Sequence, residues 1–173
     1  MKKQIILLAS IFLFLGLHVI DAQVTQQECT IKYNLFKGDY QSKKYEDAYP
    51  NWISLMDNCP TLSINIYKLG DKMVQSMFKK AADKTETTGL IKRIYNQRLA
   101  NFPSKDPAKV HSDYATFLVK NKLATDDEVF EILELAYSID PTRMGVKNIY
   151  RYFQGITDAN KDTNPQKVFD TYD

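Results

Sequence analysis

Apart from Pro50, the prolines of this chain fall between periodic apolar segments. Proline has no N–H to donate and its ring clashes with the preceding turn, so a proline that follows an apolar run stops a helix. Pro60, Pro103 and Pro141 lie 43 and 38 residues apart, and each closes the same unit: an apolar stripe at helical spacing, a short polar link and a second stripe. Strand-like alternation bounded by Asn-Gly or Asp-Gly turns is absent, which argues against a sandwich or barrel. The fold class read from this pattern is all-α, built of antiparallel helical hairpins.

The individual stripes follow the i, i+3, i+4, i+7 rule of a helix that buries one face. Ile91, Ile94, Tyr95, Arg98, Leu99 and Phe102 make the clearest one. Ahead of it, Ile66, Leu69, Met73 and Met77 run beside Tyr67, Val74 and Phe78, with the polar residues 83–88 as the link. Asp106-Pro107 reads as an N-cap followed by proline at the first helical position. Val110, Tyr114, Phe117 and Leu118 line the helix it opens. Thr125 and Glu128 stand at capping-box spacing ahead of Val129, Leu133, Ala136 and Tyr137, and Asp126 and Asp127 suit the positive helix end. A further stripe is Val146, Ile149, Tyr150, Phe153 and Ile156, then a short helix opens at Asn164-Pro165 with Val168, Phe169 and Tyr172. The expected hairpins are 29–60, 62–103, 107–141 and 143–173. The last has a nine-residue second helix that needs a neighbour, so it reads as the front of a longer array or as an end covered by a second copy or a partner. Pro50 is expected within the first turn or so of the helix carrying Ala48, Trp52 and Leu55, where it is tolerated.

The first residues have a different character. Lys2 and Lys3 precede an apolar run that closes at Asp21-Ala22, the form of a signal peptide over 1–22, with one domain over 23–173. No later run could span a bilayer. Cleavage after Ala22 removes Lys2, Lys3 and Asp21, and leaves 21 basic against 20 acidic side chains. Such a balance gives no reason to invoke nucleic acid or an anionic membrane.

Composition excludes several chemistries. His111 is the only histidine after the leader, Cys29 and Cys59 are the only cysteines, and no phosphate-binding, dinucleotide, zinc-protease or hydrolase-elbow motif is present. No catalytic residue, cofactor or metal site is assigned. Cys29 opens the first helix and Cys59 closes the second, so antiparallel pairing in an oxidising compartment favours a disulfide over two buried thiols or a reactive or metal-bound pair.

Ala48, Trp52, Leu55 and Pro60 stand at the spacings of the second helix of a tetratricopeptide repeat. Ile91, Tyr95, Arg98 and Pro103 match in part, as do Val129, Leu133, Ala136 and Pro141. The small residue of that pattern is replaced at Ile91 and Val129, and the first helices lack its Trp and Gly. With its leader, the chain resembles the exported tetratricopeptide-like proteins of the Bacteroidetes type. The resemblance implies an α-solenoid wound into a right-handed superhelix, periplasmic or associated with the outer membrane. It also implies an interaction scaffold, not an enzyme, that binds another envelope protein or peptide in its groove.

Two alternatives stay open: a glycan-binding module of an outer-membrane transport or secretion complex, using exposed rings, and an envelope enzyme or inhibitor. The many tyrosines, among them Tyr67, Tyr95, Tyr114, Tyr137 and Tyr150, read foremost as packing. If first helices line the groove, the contact residues are Asn34, Lys37 and Tyr40, then Lys68 and Lys72, then Asp113 and Thr116.

Overall fold

The computed structural model of the protein describes residues 24–172. The expected signal peptide at 1–22 lies outside them. The described residues are helical throughout, in the order α1 Gln26–Gln41, α2 Tyr45–Asn58, α3 Asn65–Lys80, α4 Thr85–Asn101, α5 Pro107–Asn121, α6 Asp126–Ile139, a single 3₁₀ turn Pro141–Arg143, α7 Val146–Asn160 and α8 Pro165–Tyr172. Each helix packs against the next in sequence, α1 also reaches α3, and α5 reaches α7.

Helix starts follow from side-chain chemistry. At Thr25 and again at Thr125 the hydroxyl accepts from the backbone N–H three residues on. There Glu28 and Glu128 accept in return from the N–H of the threonine at 2.8 Å. Both boxes satisfy donors that a helix start leaves without partners. The first begins α1 at Gln26, ahead of the expected start at Cys29. Asp106 is the N-cap of α5 with Pro107 at the first helical position, as the sequence reads, but its backbone is left-handed, with φ 64°, and its side chain makes no capping hydrogen bond. It instead accepts from Arg143, through Nε at 3.0 Å and through a second guanidinium nitrogen. Pro50 is the sixth residue of α2, in its second turn, and faces solvent.

The core begins at Trp52. Its indole is fully buried, donates from Nε1 to the Ile66 carbonyl at 2.9 Å and lies against Gly70, where a Cβ would occupy the ring's place. This contact locks α2 onto α3. Tyr67 carries the lock onward: its hydroxyl donates to the Pro60 carbonyl at 2.8 Å and accepts from Asn101 Nδ2 at 3.1 Å. Phe36, Leu55, Met56, Met73, Val74, Ile91 and Ile94 fill the space around these rings. The rim of this core reaches α5 through Phe78 against Phe117, centroids 5.3 Å apart, and Tyr95 against Tyr114, 4.8 Å apart. A second, smaller core gathers Ala115, Val129, Leu133, Ala136, Met144, Tyr152 and Ile156 between α5, α6 and α7.

The α7 stripe is rotated from the one read in the sequence. Its buried residues are Asn148, Tyr152 and Ile156, while Val146 is 87% exposed and Tyr150 69% exposed. Asn148 explains the difference: a polar residue occupies a core-facing position. Its Nδ2 lies 2.8 Å from the Ser112 carbonyl, the Ser112 hydroxyl and the Thr116 hydroxyl. A hydrophobic pattern does not register such a position.

A disulfide joins Cys29 and Cys59 with their Cα atoms 5.9 Å apart, both residues buried. The bond ties the first turn of α1 to the residue that ends α2.

Candidate functional site

On α3, the buried residues Ile66, Tyr67, Met73 and Val74 fix the rotation of the helix, and Lys68 and Lys72, one turn apart, are left facing outward. On α5, burial of Ala108, Val110, Ala115, Phe117 and Leu118 does the same, and Lys109, Asp113, Thr116 and Lys120 follow one another along one face. Between the two helices a groove opens with a volume of about 690 Å³. Ile64, Lys68, Asp71 and Lys72 form its α3 side, Lys109 and Asp113 its α5 side, and Arg98, Lys105, Asp106 and Arg143 also line it.

The carboxylates here are largely committed. Asp113 accepts from Lys109 Nζ at 2.7 Å, a pair with both partners well exposed. Such pairs add little stability in water. Asp106 is held by Arg143, whose hydrogen bond keeps its pKa below the ordinary aspartate value. Asp71 is the unusual member: burial raises its pKa, although Gln75 donates to it at 2.9 Å. Tyr95 stands beside it, and burial, with Asp71 and Asp113 close by, lifts its pKa far above that of a free phenol. Arg98 contributes a buried Nε that has no hydrogen-bond acceptor. Buried donors are rarely left without one.

A second groove, about 500 Å³, runs between α5 and α7. Thr116, Val119 and Lys120 face Val146, Lys147 and Arg151 across it. Arg151 is oriented by Asn148, whose Oδ1 accepts from it at 2.9 Å.

Of the residues expected to contact a partner, Lys68, Lys72 and Asp113 come together in the α3–α5 groove, and Thr116 lines the neighbouring one. Thr116 is also engaged internally, donating to the Ser112 carbonyl at 2.9 Å and accepting from Asn148. Asn34 and Lys37 are exposed on α1 and line neither groove. Tyr40 is half-buried, with its ring between those of Phe36 and Tyr45 at centroid distances of 6.2 and 5.8 Å, so it supports packing. Lys105, Lys120, Lys147 and Arg151 line the grooves without having been singled out in the sequence, and Arg98, read there as part of a helix stripe, lines the first. Only the i, i+4, i+7, i+11 spacing of Lys109, Asp113, Thr116 and Lys120 hinted at this face.

His111 is half-buried on α5, outside both grooves, and burial lowers its pKa. Among the described residues no group of three or more His, Cys, Asp or Glu is placed to hold a metal, and no helix is long and apolar enough to cross a membrane. No protein family, curated protein or solved structure matches the chain.

Proposed function

We propose that this chain is an exported tetratricopeptide-like scaffold of the cell envelope, whose hairpins stack into a solenoid and bind another envelope protein along the face carrying α3, α5 and α7. The observation that carries the reading is the groove between α3 and α5. It is open, about 690 Å³ in volume, and walled by long side chains whose charged ends reach solvent. Helical-hairpin arrays present extended grooves of this kind because each hairpin adds another helix to one continuous face. The disulfide supports export, since such bonds persist in oxidising compartments. The reading assigns the chain no reaction and no cofactor.

The glycan-binding alternative draws on the exposed rings of Tyr150 and Phe169, the latter 66% exposed. One experiment separates the two. The oxidised protein, immobilised and incubated with envelope extract, should retain a partner protein in stoichiometric amount. Retention of glycan with no stoichiometric protein overturns the scaffold reading.

A further inference from the structure

Charge is distributed unevenly over this molecule. The chain carries 23 basic and 21 acidic side chains. Yet the α3–α5 groove is lined by six basic and three acidic residues, and the α5–α7 groove by Lys120, Lys147 and Arg151 with no acid. Acids collect elsewhere: α6 holds five and no base. Within the α3–α5 groove the positive excess is also uncompensated. Asp113 and Asp106 are taken by Lys109 and Arg143, while Lys68, Lys72 and Lys105 enter none of the ion pairs among the described residues. The buried Arg98 Nε at the same groove has a proton to donate and no acceptor.

We propose that the two grooves together take an acidic segment of a partner protein that also carries apolar side chains, lying along α5. Its carboxylates meet Lys68, Lys72 and Lys105. Its apolar residues cover Val119 and the 87% exposed Val146 in the second groove. A uniformly charged polymer fits less well. A nucleic acid or sulfated glycan would leave Val119 and Val146 uncovered. The length of α5 sets a spacing. Lys109 of the first groove and Val119 of the second are ten residues apart on α5, about 15 Å along a helix axis, a distance that an extended peptide spans in about five residues. The acids and the apolar anchor of the ligand are therefore separated by about that many positions. This inference rests on the scaffold reading and adds the chemistry of what is bound.

The probe is a fluorescently labelled peptide with a cluster of Asp and Glu followed, about five residues on, by two leucines, titrated with the oxidised protein. Binding should weaken about tenfold in Lys68→Gln/Lys72→Gln and fade as salt rises, because exposed charges are screened. Val146→Ser should weaken it with less salt dependence. Lys44→Gln/Lys92→Gln removes the same charge from exposed sites outside the grooves and should leave binding unchanged. All these positions are exposed, and melting curves check that the fold is kept. Equal weakening by the control pair, equal binding of a peptide lacking the leucines, or tighter binding of heparin or duplex DNA overturns the proposal. So does self-association of the protein that blocks the peptide, since the occupant would then be a second copy. An envelope partner retained in full by Lys68→Gln/Lys72→Gln would sink this inference and leave the scaffold standing. Peptide binding without any envelope partner would do the reverse.

Discussion

At the scale of single residues, four glycines within helices sort by what surrounds them. A Cβ at Gly70 would collide with the indole of Trp52, which is fully buried and tied to the Ile66 carbonyl. A Cβ at Gly155 would meet the Phe130 ring, which is only half-buried and has room to turn. Gly38 and Gly89 have nothing within 4 Å of that position. Gly70→Ala should therefore destabilise by about 3 kcal/mol and Gly155→Ala by about 1 kcal/mol, while Gly38→Ala and Gly89→Ala should each stabilise by about 0.5–1 kcal/mol. Urea denaturation of the four variants checks the order, and a harmless Gly70→Ala would mean that the indole is not held as described. Two aspartates of the groove should show opposite pH behaviour. Burial raises the pKa of Asp71 in the folded state, so its contribution is fully present below the unfolded value and is lost as pH rises through the folded one. Arg143 lowers the pKa of Asp106, so that contribution is present above the unfolded value and is lost as pH falls through the folded one. Relative to wild type, Asp71→Asn should become more stable on going from acidic to neutral pH and Asp106→Asn less stable. Denaturation midpoints near pH 3 and near neutrality test both signs, and parallel slopes would contradict the assignment.

At the scale of elements, α1 packs on α2 and α3 with few fully buried residues of its own. Cys29 and Phe36 are its buried residues, while Ile31 and Leu35 are about half exposed. What compensates is the bond to Cys59 across a separation of 30 residues. Closing a loop of that size lowers the entropy of the unfolded chain by an amount worth about 3–4 kcal/mol. Cys29→Ala/Cys59→Ala should lose stability of that order. Amides of α1 should lose protection against hydrogen exchange before those of α3, and uniform loss along the chain would show that the bond does not act locally. The sequence told of the two half-cystines through export and hairpin geometry. It did not show that Ile31 and Leu35 stay half exposed, because that depends on where α2 and α3 lie.

At the scale of the whole molecule, the packing is graded from one end to the other. The larger core involves α1 through α5 and contains Trp52, Tyr67, Phe36 and Met73, all fully buried. The smaller core depends on fewer large side chains, and among the described side chains of α8 the half-buried Val168 packs on it while Phe169 stays exposed. Local stability follows buried apolar contact. Hydrogen exchange should therefore be slowest in α2 and α3, faster in α6 and α7, and fastest in α8. Protection of α8 equal to that of α3 would contradict this grading.

The sequence by itself determined the all-helical class. Prolines 60, 103 and 141, the threonine capping box at Thr125 and the stripes around Trp52, Tyr67 and Ile91 are local signals, and each acts within a few residues of where it is written. It also placed Lys68, Lys72 and Asp113 on outward faces, since the buried neighbours of each fix its direction. Tertiary structure alone decided that these three share a groove, that Arg98, Lys105 and Arg143 also line it, and that the side chain of the N-cap residue Asp106 binds Arg143. Those outcomes depend on how α3, α5 and the turn at Pro141–Arg143 are set against each other. The α7 stripe shows the same limit. Asn148 is buried because Ser112 and Thr116 of another helix satisfy its amide. A polar residue can exchange water for such partners only once the helices have met.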